Sequence, residues 1–228
     1  MKKLTIFTGA GISAESGIAT FRASDGLWAN YRIEDVCTPE ALSNNRSEVI
    51  DFYNMRRKEV QTKQPNAAHL GLKELEKHFD VQIITQNVDD LHERAGSSKV
   101  LHLHGEIRKL CSSRDVSQTV DLDGWEQKQD ARHADGSLLR PFIVFFGEQV
   151  PLLGRAIELT AEADIFVVIG TSLQVYPAAS LLHYVRPGVP VYVIDPNVPS
   201  VVLAGNPLHV IEKSATDGVA ELMNRLTV

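Results

Sequence analysis

Four short apolar runs, all rich in β-branched residues, constrain the fold of this chain most strongly. They occupy residues 4–7, 81–85, 165–169 and 189–194, and turn or capping residues bound each of them. Runs of this kind are typical of parallel strands that are buried on both faces. Between them, residues 66–78 have helical periodicity with Asn66 as the N-cap, and residues 219–226 have a similar apolar stripe. This alternation predicts an α/β fold, a Rossmann-like parallel sheet with helices on both faces.

Two segments interrupt the alternation of strands and helices. Residues 23–65 contain a loop and a predicted helix at about 48–60, whereas residues 105–140 are mostly polar. We interpret both segments as insertions that form a smaller lobe. The large lobe then comprises about 1–22, 66–104 and 141–228, and the whole of 1–228 forms one core.

Charge and cysteine content limit the classes of partner and the compartment. The net charge of −6 argues against a general nucleic-acid binder, which is usually basic. Cys37 and Cys111 are the two cysteines, too few for a disulfide framework, so a reducing cytoplasm is expected. The apolar run near the N-terminus is too short for a signal peptide, and no run reaches the roughly 18 residues of a membrane span. We expect no nucleic-acid and no membrane partner.

A glycine-rich loop follows the first predicted strand. Gly9, Gly11 and Ala14 fit the G-x-G-x-x-G/A spacing of dinucleotide-binding loops, although a tight turn without a ligand would also fit. That fingerprint requires an acidic residue at the end of a second strand. Glu34 and Asp35 lie at about the right distance but in no predicted strand. A bound dinucleotide would therefore sit differently from the cofactor of a hydride-transfer enzyme.

Polar residues also follow the later strands. Gln86, Asn87 and Asp89 come after the second run, and Gly170, Thr171 and Ser172 after the third. Ligands of open α/β sheets bind at the carboxyl ends of the strands, so these residues are candidates for a binding site. The segment "VLHLHGEI" adds His102 and His104, which share one face if it is extended.

Five segments together resemble the sirtuin family of NAD-dependent protein-lysine deacylases. They are "TGAGISAESGIATFR", "TQNVDDLHERAG", "LHLHGEI", "LRPFIVFFGE" and "GTSLQVYPAAS", in the family's order and across nearly the whole chain. The resemblance implies that NAD is consumed as a co-substrate. The cofactor loop that it implies consists of Gly9, Ala10, Gly11, Ser13, Phe21 and Arg22. Contacts to the ribose and nicotinamide are implied for Gln86, Asn87 and Asp89. Contacts near the adenosine are implied for Gly170, Ser172, Asn197 and Ala215. Asp195 stands where the family more often has Asn.

By the same resemblance, His104 is the catalytic histidine. The implied chemistry is attack by the acyl oxygen of a modified lysine on C1′ of the NAD ribose, with loss of nicotinamide. His104 then acts as a general base on a ribose hydroxyl, a role that suits imidazole near neutral pH. The products are free lysine and an O-acyl-ADP-ribose. We interpret His102 as a structural residue.

The substrates implied are acyl-lysine proteins or peptides. Residues 142–148 are predicted as an edge strand that ends in a glycine turn, and the resemblance implies that the peptide adds as a strand between this segment and residues 174–176. The expected substrate-binding residues are Tyr53, Arg56, Val144, Phe146, Gly147 and Val175. Tyr53 and Arg56 form the Tyr-x-x-Arg pair of sirtuins that prefer succinyl and malonyl groups, since Arg can bind a carboxylate bidentately. The alternative is that Arg56 and Arg57 belong to a solvated helix face.

The zinc site that is typical of sirtuins is degenerate here. Its first ligand pair would fall at Cys111 and Arg114, and its second at Arg132 and Asp135, so only one thiolate remains. We expect no structural zinc in this zinc-ribbon-like module. An ion pair between Arg114 and Asp135, helped by packing, is expected to replace part of the cross-link.

Two other functions remain open at this stage. One is an NAD-dependent oxidoreductase, which the missing strand after the glycine loop disfavours. The other is a non-catalytic sensor of NAD or ADP-ribose, which would not need His104 as a base.

Overall fold

A computed structural model describes residues 1–20, 31–201, 203 and 205–227 of the chain. The strands are β1 (Lys3–Thr8), β2 (Asp80–Thr85), β3 (Val100–His102), β4 (Gly105–Ser112), β5 (Thr119–Asp121), β6 (Leu139–Ile143), β7 (Ile165–Ile169), β8 (Val191–Ile194) and β9 (Leu208–Ile211). The α-helices are α1 (Gly11–Ala14), α2 (Ile33–Val36), α3 (Pro39–Asn44), α4 (Arg46–Thr62), α5 (Ala67–Leu75), α6 (Leu91–Arg94), α7 (Leu153–Ala161) and α8 (Ala215–Thr227), with a 3₁₀ helix at Ala178–Tyr184.

The main sheet confirms the predicted α/β fold. Its six strands run in the order β3-β2-β1-β7-β8-β9, and all five neighbouring pairs are parallel. The four predicted apolar runs became β2, β1, β7 and β8 in its centre. The edge strands β3 and β9 were not predicted, because they are short and their residues are only partly buried.

Helices cover both faces of this sheet. On one face, α5 and α8 pack over β1 and β7 in a cluster that includes Leu72, Val219 and Leu222. On the other face, α7 and the 3₁₀ helix pack over β7 and β8 through residues such as Ala156 and Leu181. Helix α5 begins at the predicted N-cap, where the Asn66 side chain accepts hydrogen bonds from the backbone of residues 68 and 69. No described helix is both long and apolar enough to span a lipid bilayer.

A second, antiparallel sheet has the strand order β5-β4-β6 and packs against α4. Arg57 of α4 is fully buried at this contact. Its Nε donates to the carbonyl oxygen of Ile107 at 2.8 Å, and its Nη1 to Oδ1 of Asn54 at 2.8 Å. Burial lowers the Arg57 pKa to about 10. These hydrogen bonds satisfy the guanidinium and hold α4 to the small sheet, so Arg57 does not lie on a solvated helix face.

The prediction for residues 142–148 is right about an edge strand and a turn at Gly147 but wrong about the bounds of the strand. The strand is Leu139–Ile143, and the chain then turns. A bidentate ion pair explains the turn: Arg140 Nη1 and Nη2 lie 2.6 and 3.0 Å from the two carboxylate oxygens of Glu148, and the Phe145 amide also donates to that carboxylate. Pairing these residues folds the chain back on itself instead of extending it.

The predicted ion pair between Arg114 and Asp135 is also wrong. Arg114 Nη1 donates to the backbone carbonyl of Asp135 at 3.3 Å, while the Asp135 carboxylate accepts from Ser112 Oγ at 2.6 Å and from the Ser137 amide at 2.8 Å. The hydroxyl and the amide are closer donors, and they hold the pKa of Asp135 well below its usual range. Ser112 is therefore the centre of the cross-link in this part of the fold.

Candidate active site

The candidate site lies where the order of the main sheet reverses, between β1 and β7. Two loops leave the carboxyl ends of these strands and touch: the Gly11 amide donates to the carbonyl oxygen of Gly170 at 2.8 Å. A Cβ at Gly11 would lie 2.6 Å from Gly170 Cα, and Gly170 itself has a φ of +62°. The glycines are thus required for contact between the two loops. The crevice beside such a reversal is where open α/β sheets bind ligands.

A cavity of about 700 Å³ opens from these loops. It is lined by most of the residues predicted for the cofactor, namely Gly9, Ala10, Gly11, Gln86, Asn87, Gly170, Ser172, Asn197 and Ala215. It is also lined by every residue predicted for the substrate, namely Tyr53, Arg56, Val144, Phe146, Gly147 and Val175. The fold therefore brings the two predicted sets together in one cavity, with His104 in its wall.

Ser13 and Asp89 do not line the cavity but lie behind it. Asn87 Nδ2 donates to the Gly9 carbonyl at 3.1 Å and to Ser13 Oγ at 3.2 Å, and Ser13 Oγ donates to Asp89 at 3.1 Å. Burial raises the pKa of Asp89. This chain of hydrogen bonds fixes the lining Asn87 amide relative to the glycine loop. The predictions for Phe21 and Arg22 fall outside the described residues.

His104 follows β3 and has one ring nitrogen fixed. Its Nδ1 is 3.1 Å from the carbonyl oxygen of Gln86, which can only accept, so Nδ1 donates. The neutral ring therefore carries its free lone pair on Nε2. Burial lowers the pKa of His104, and the hydrogen bond to Gln86 opposes this effect only in part. A neutral imidazole with a free nitrogen in a cavity wall can act as a general base.

His102, the last residue of β3, has a different environment. Its Nε2 lies 2.8 Å from Glu93 Oε1, and its Nδ1 donates to the carbonyl of Asn87 at 3.0 Å. Burial favours the neutral ring, but the hydrogen bond and charge of Glu93 outweigh burial and raise the pKa. His102 does not line the cavity and has both nitrogens occupied.

Tyr53 and Arg56 project from one face of α4 into the cavity wall. The Tyr53 ring stacks on Phe145 with the centroids 5.9 Å apart. The Arg56 side chain is 13% exposed, and its nearest carboxylate, Glu59, is 3.9 Å from Nη1. Within the described part of the chain, Nη1 of Arg56 is buried and has no hydrogen-bond partner. A buried guanidinium nitrogen without a partner is costly, and a ligand carboxylate in the cavity would satisfy it.

Comparison with known proteins identifies the family. The Sir2 family model matches residues 9–177. The chain belongs to the Sir2 family. It is 52% identical to an NAD-dependent protein deacylase of Bacteroides thetaiotaomicron, over 99% of this chain and 98% of that protein. It is 49% identical to an NAD-dependent protein deacylase of Helicobacter pylori, again over 99% and 98%.

Solved structures of Sir2 proteins agree with the fold. A Sir2 homologue in complex with NAD is 39% identical, with a TM-score of 0.88 over 99% of this chain and 90% of that one. A Sir2 variant with a deacetylated p53 peptide and 3′-O-acetyl ADP-ribose is 29% identical, with a TM-score of 0.79 over 100% and 94%. The resemblance seen in the sequence is thereby confirmed.

Sequence reasoning missed two features of this Sir2 site. Cys37 lies in the cavity wall, whereas its sequence context indicates only a free thiol. The ion pair between buried Arg140 and half-buried Glu148 shapes the turn that carries Phe146 and Gly147. Two opposite charges at the ends of the run "RPFIVFFGE" could have signalled the pair. No comparable signal exists for Cys37, because its neighbour in the cavity wall, Tyr53, lies 16 residues away in the sequence.

The four positions of the typical zinc ligands do not fit a metal. Arginines occupy two of them, and Cys111 is buried, which raises its thiol pKa to about 11. The Ser112 hydroxyl is already engaged with Asp135 and Ser137. Among the residues that the structure describes, no three His, Cys, Asp or Glu side chains are grouped to hold a metal ion.

Proposed function

We propose that this Sir2 chain is an NAD-dependent protein-lysine deacylase that removes acidic acyl groups, succinyl and malonyl, as well as acetyl. Family membership and relatives named NAD-dependent protein deacylase over nearly the whole chain support the deacylase activity. One observation carries the preference for acidic groups: within the described residues, the buried Nη1 of Arg56 in the cavity wall has no hydrogen-bond partner, and its ion pair with Glu59 is long, at 3.9 Å.

The residues around the two touching loops fit a dinucleotide. Gly9, Ala10 and Gly11 line the cavity beside Gln86 and Asn87, and we propose that these five residues surround the phosphates, ribose and nicotinamide amide of NAD. We propose that the adenosine half of NAD occupies the part of the cavity lined by Gly170, Ser172, Asn197 and Ala215. When bound, NAD supplies the ribose carbon that accepts the acyl oxygen as nicotinamide leaves.

His104 is proposed as the general base on a ribose hydroxyl. Its Nδ1 proton is held by the Gln86 carbonyl, so Nε2 is the atom that takes the proton. The lowered pKa keeps the ring neutral at pH 7, the form that a base requires. Asn87, fixed through Ser13 and Asp89, is proposed to orient the nicotinamide end of the cofactor.

We propose that the peptide adds as a strand between residues 144–147 and the segment around Val175. Phe146 and Val175 are 42% and 37% exposed there, so both offer apolar surface against which the peptide would pack. The amides of Val144 and Phe146 already donate to the carbonyls of His104 and Cys37, so the peptide would pair with other backbone groups of these segments. Main-chain pairing would tolerate many peptide sequences.

The acyl group is proposed to extend between Tyr53 and Arg56. A succinyl or malonyl carboxylate would accept a charge-assisted hydrogen bond from Arg56 Nη1 and a second from the Tyr53 hydroxyl. An acetyl group has no carboxylate and would give these two donors no acceptor. We therefore expect turnover of all three groups with a preference for the acidic ones.

We also propose that the cavity lies between a large lobe (about 1–22, 66–104 and 141–228) and a small lobe (about 23–65 and 105–140). A cytoplasmic location is proposed as well, because Cys37 and Cys111 are both free. Cell fractionation of the tagged chain would test the location, and recovery in the periplasmic fraction would contradict it.

Product analysis tests the proposed function. The chain is incubated with NAD and matched acetyl-, succinyl- and malonyl-lysine peptides, and the products are identified by mass spectrometry. We expect O-acyl-ADP-ribose and free lysine from each peptide, and no turnover by His104→Ala. Arg56→Met should lower kcat/KM for the succinyl peptide about 10- to 100-fold, the value of a hydrogen bond to a charged group.

Arg155→Met is the matched control, because Arg155 lies on the exposed surface of α7 and pairs with Glu158. It should leave all three activities unchanged. NAD binding without turnover of any peptide would contradict the deacylase and favour a sensor. Deacetylation alone, with no effect of Arg56→Met, would contradict the acidic preference.

A further inference from the structure

The Tyr53 hydroxyl has a thiol as its neighbour. Cys37 Sγ lies 3.2 Å from Tyr53 Oη, and both residues are buried and line the cavity. This is the hydrogen bond of the Tyr53 hydroxyl within the described residues, and either group can be its donor, so the direction of this bond sets where the hydroxyl proton points.

The backbone on both sides fixes the position of this thiol. The Cys37 amide donates to the carbonyl of Ile33 at 2.8 Å, and the Cys37 carbonyl accepts from the Phe146 amide at 2.9 Å. The second bond ties Cys37 to the turn that is proposed to bind the peptide. Cys37 therefore has one location relative to both the Tyr53 ring and that turn.

Both groups carry a proton at neutral pH. Burial raises the pKa of the Cys37 thiol, and burial likewise raises the pKa of the Tyr53 hydroxyl well above its usual value. Only one of these two protons can lie between sulfur and oxygen. Thiol sulfur is a weak acceptor, whereas a carboxylate is a strong one. When an acidic acyl group is present, the phenolic proton therefore goes to the carboxylate and the thiol proton to the phenol oxygen.

We propose that Cys37 is a positioning residue for acidic acyl groups: its thiol donates to Tyr53 Oη and directs the Tyr53 hydroxyl proton toward the acyl carboxylate. Cys37 does not touch the reacting atoms and acts through Tyr53. This inference rests on the proposed function, because it needs Tyr53 to contact the acyl carboxylate.

The test measures kcat and KM for matched succinyl- and acetyl-lysine peptides at saturating NAD. Cys37→Ala should lower the ratio of succinyl to acetyl kcat/KM by about 2- to 10-fold, as expected for loss of one neutral hydrogen bond. The change should lie mainly in KM for the succinyl peptide, because it affects binding of the carboxylate. Cys37→Ser keeps a donor of similar size and should restore the ratio.

A double variant separates this role from packing. In the Tyr53→Phe background there is no hydroxyl to direct, so Cys37→Ala should cause no further fall in the ratio. Cys111→Ala is the matched control: it removes the other buried thiol, whose Sγ lies 3.8 Å from the Pro141 carbonyl oxygen outside the cavity, and should leave the ratio unchanged.

The outcomes distinguish failure of this inference from failure of the proposed function. If Tyr53→Phe lowers the ratio but Cys37→Ala does not, the positioning role is refuted and the acidic preference stands. An equal effect of Cys37→Ala with and without the Tyr53 hydroxyl would also refute it, because the effect would then be one of packing. If neither Tyr53→Phe nor Arg56→Met changes the ratio, the proposed acyl preference itself fails.

Discussion

The contact between the two glycine loops predicts a large effect of a single methyl group. In Gly11→Ala the new Cβ would lie 2.6 Å from Gly170 Cα and 2.9 Å from the Gly170 carbonyl oxygen. Both neighbours are backbone atoms, so no side chain can rotate away and the loops themselves must separate. Overpacking of this kind costs about 1–3 kcal/mol. For a chain of this length, that cost lowers the melting temperature by roughly 2–12 °C.

The same displacement should weaken NAD binding, because both loops line the cavity. Thermal unfolding followed by circular dichroism, together with the KM for NAD, measures the two effects. Gly154→Ala is the matched control: a Cβ at Gly154, near the start of α7, meets nothing within 4 Å. Its melting temperature should stay the same or rise slightly. A wild-type melting temperature and KM in Gly11→Ala would refute the reasoning about the two loops.

Three further predictions concern the turn after β6, acid stability and the cross-link of the small sheet. Glu148→Gln removes the charge that faces buried Arg140, so KM for the peptide should rise while KM for NAD holds; equal changes in both would contradict a local role. Burial lowers the pKa of His69 to about 4. As the pH falls, His69 therefore binds a proton in the unfolded chain before it does so in the folded chain. Between pH 6.5 and pH 5 this difference should reduce the free energy of unfolding by about 2 kcal/mol. Urea unfolding should show that His69→Gln loses this part of the acid sensitivity and that exposed His183→Gln keeps it; an unchanged slope in His69→Gln would contradict the assignment. Ser112→Ala leaves the backbone amides of Arg114 and Asp115 without their acceptor, so it should lower the melting temperature by roughly 2–8 °C. A chelator should not change the melting temperature of the wild type. A fall caused by the chelator would show that a metal holds this sheet together.

The centre of the fold could be predicted because its strands are buried on both faces. Hydrophobicity and β-branching suffice to identify such strands, and the loops at their carboxyl ends then define the site. Strands β3 and β9 lie at sheet edges with partly exposed residues, so their composition is not distinctive. Their existence depends on pairing with β2 and β8, which the local sequence does not encode.

The site residues that the sequence missed depend on contacts between distant segments. The Cys37 thiol meets Tyr53 because α2 and α4 pack together, and Ser112 meets Asp135 across the end of the small sheet. The predicted ion pair between Arg114 and Asp135 does not form, because the Ser112 hydroxyl and the Ser137 amide are closer donors to the Asp135 carboxylate. Motifs such as "LHLHGEI" were informative because the residues of one segment stay together in the fold.

The location of a bound acyl carboxylate tests the central claim most directly. A crystal structure of the chain with a succinyl-lysine peptide would measure the distance from this carboxylate to Arg56 Nη1 and Tyr53 Oη. The account predicts that both distances are about 2.5–2.9 Å, as in charge-assisted hydrogen bonds. A carboxylate that points to solvent, with Arg56 turned toward Glu59, would contradict it.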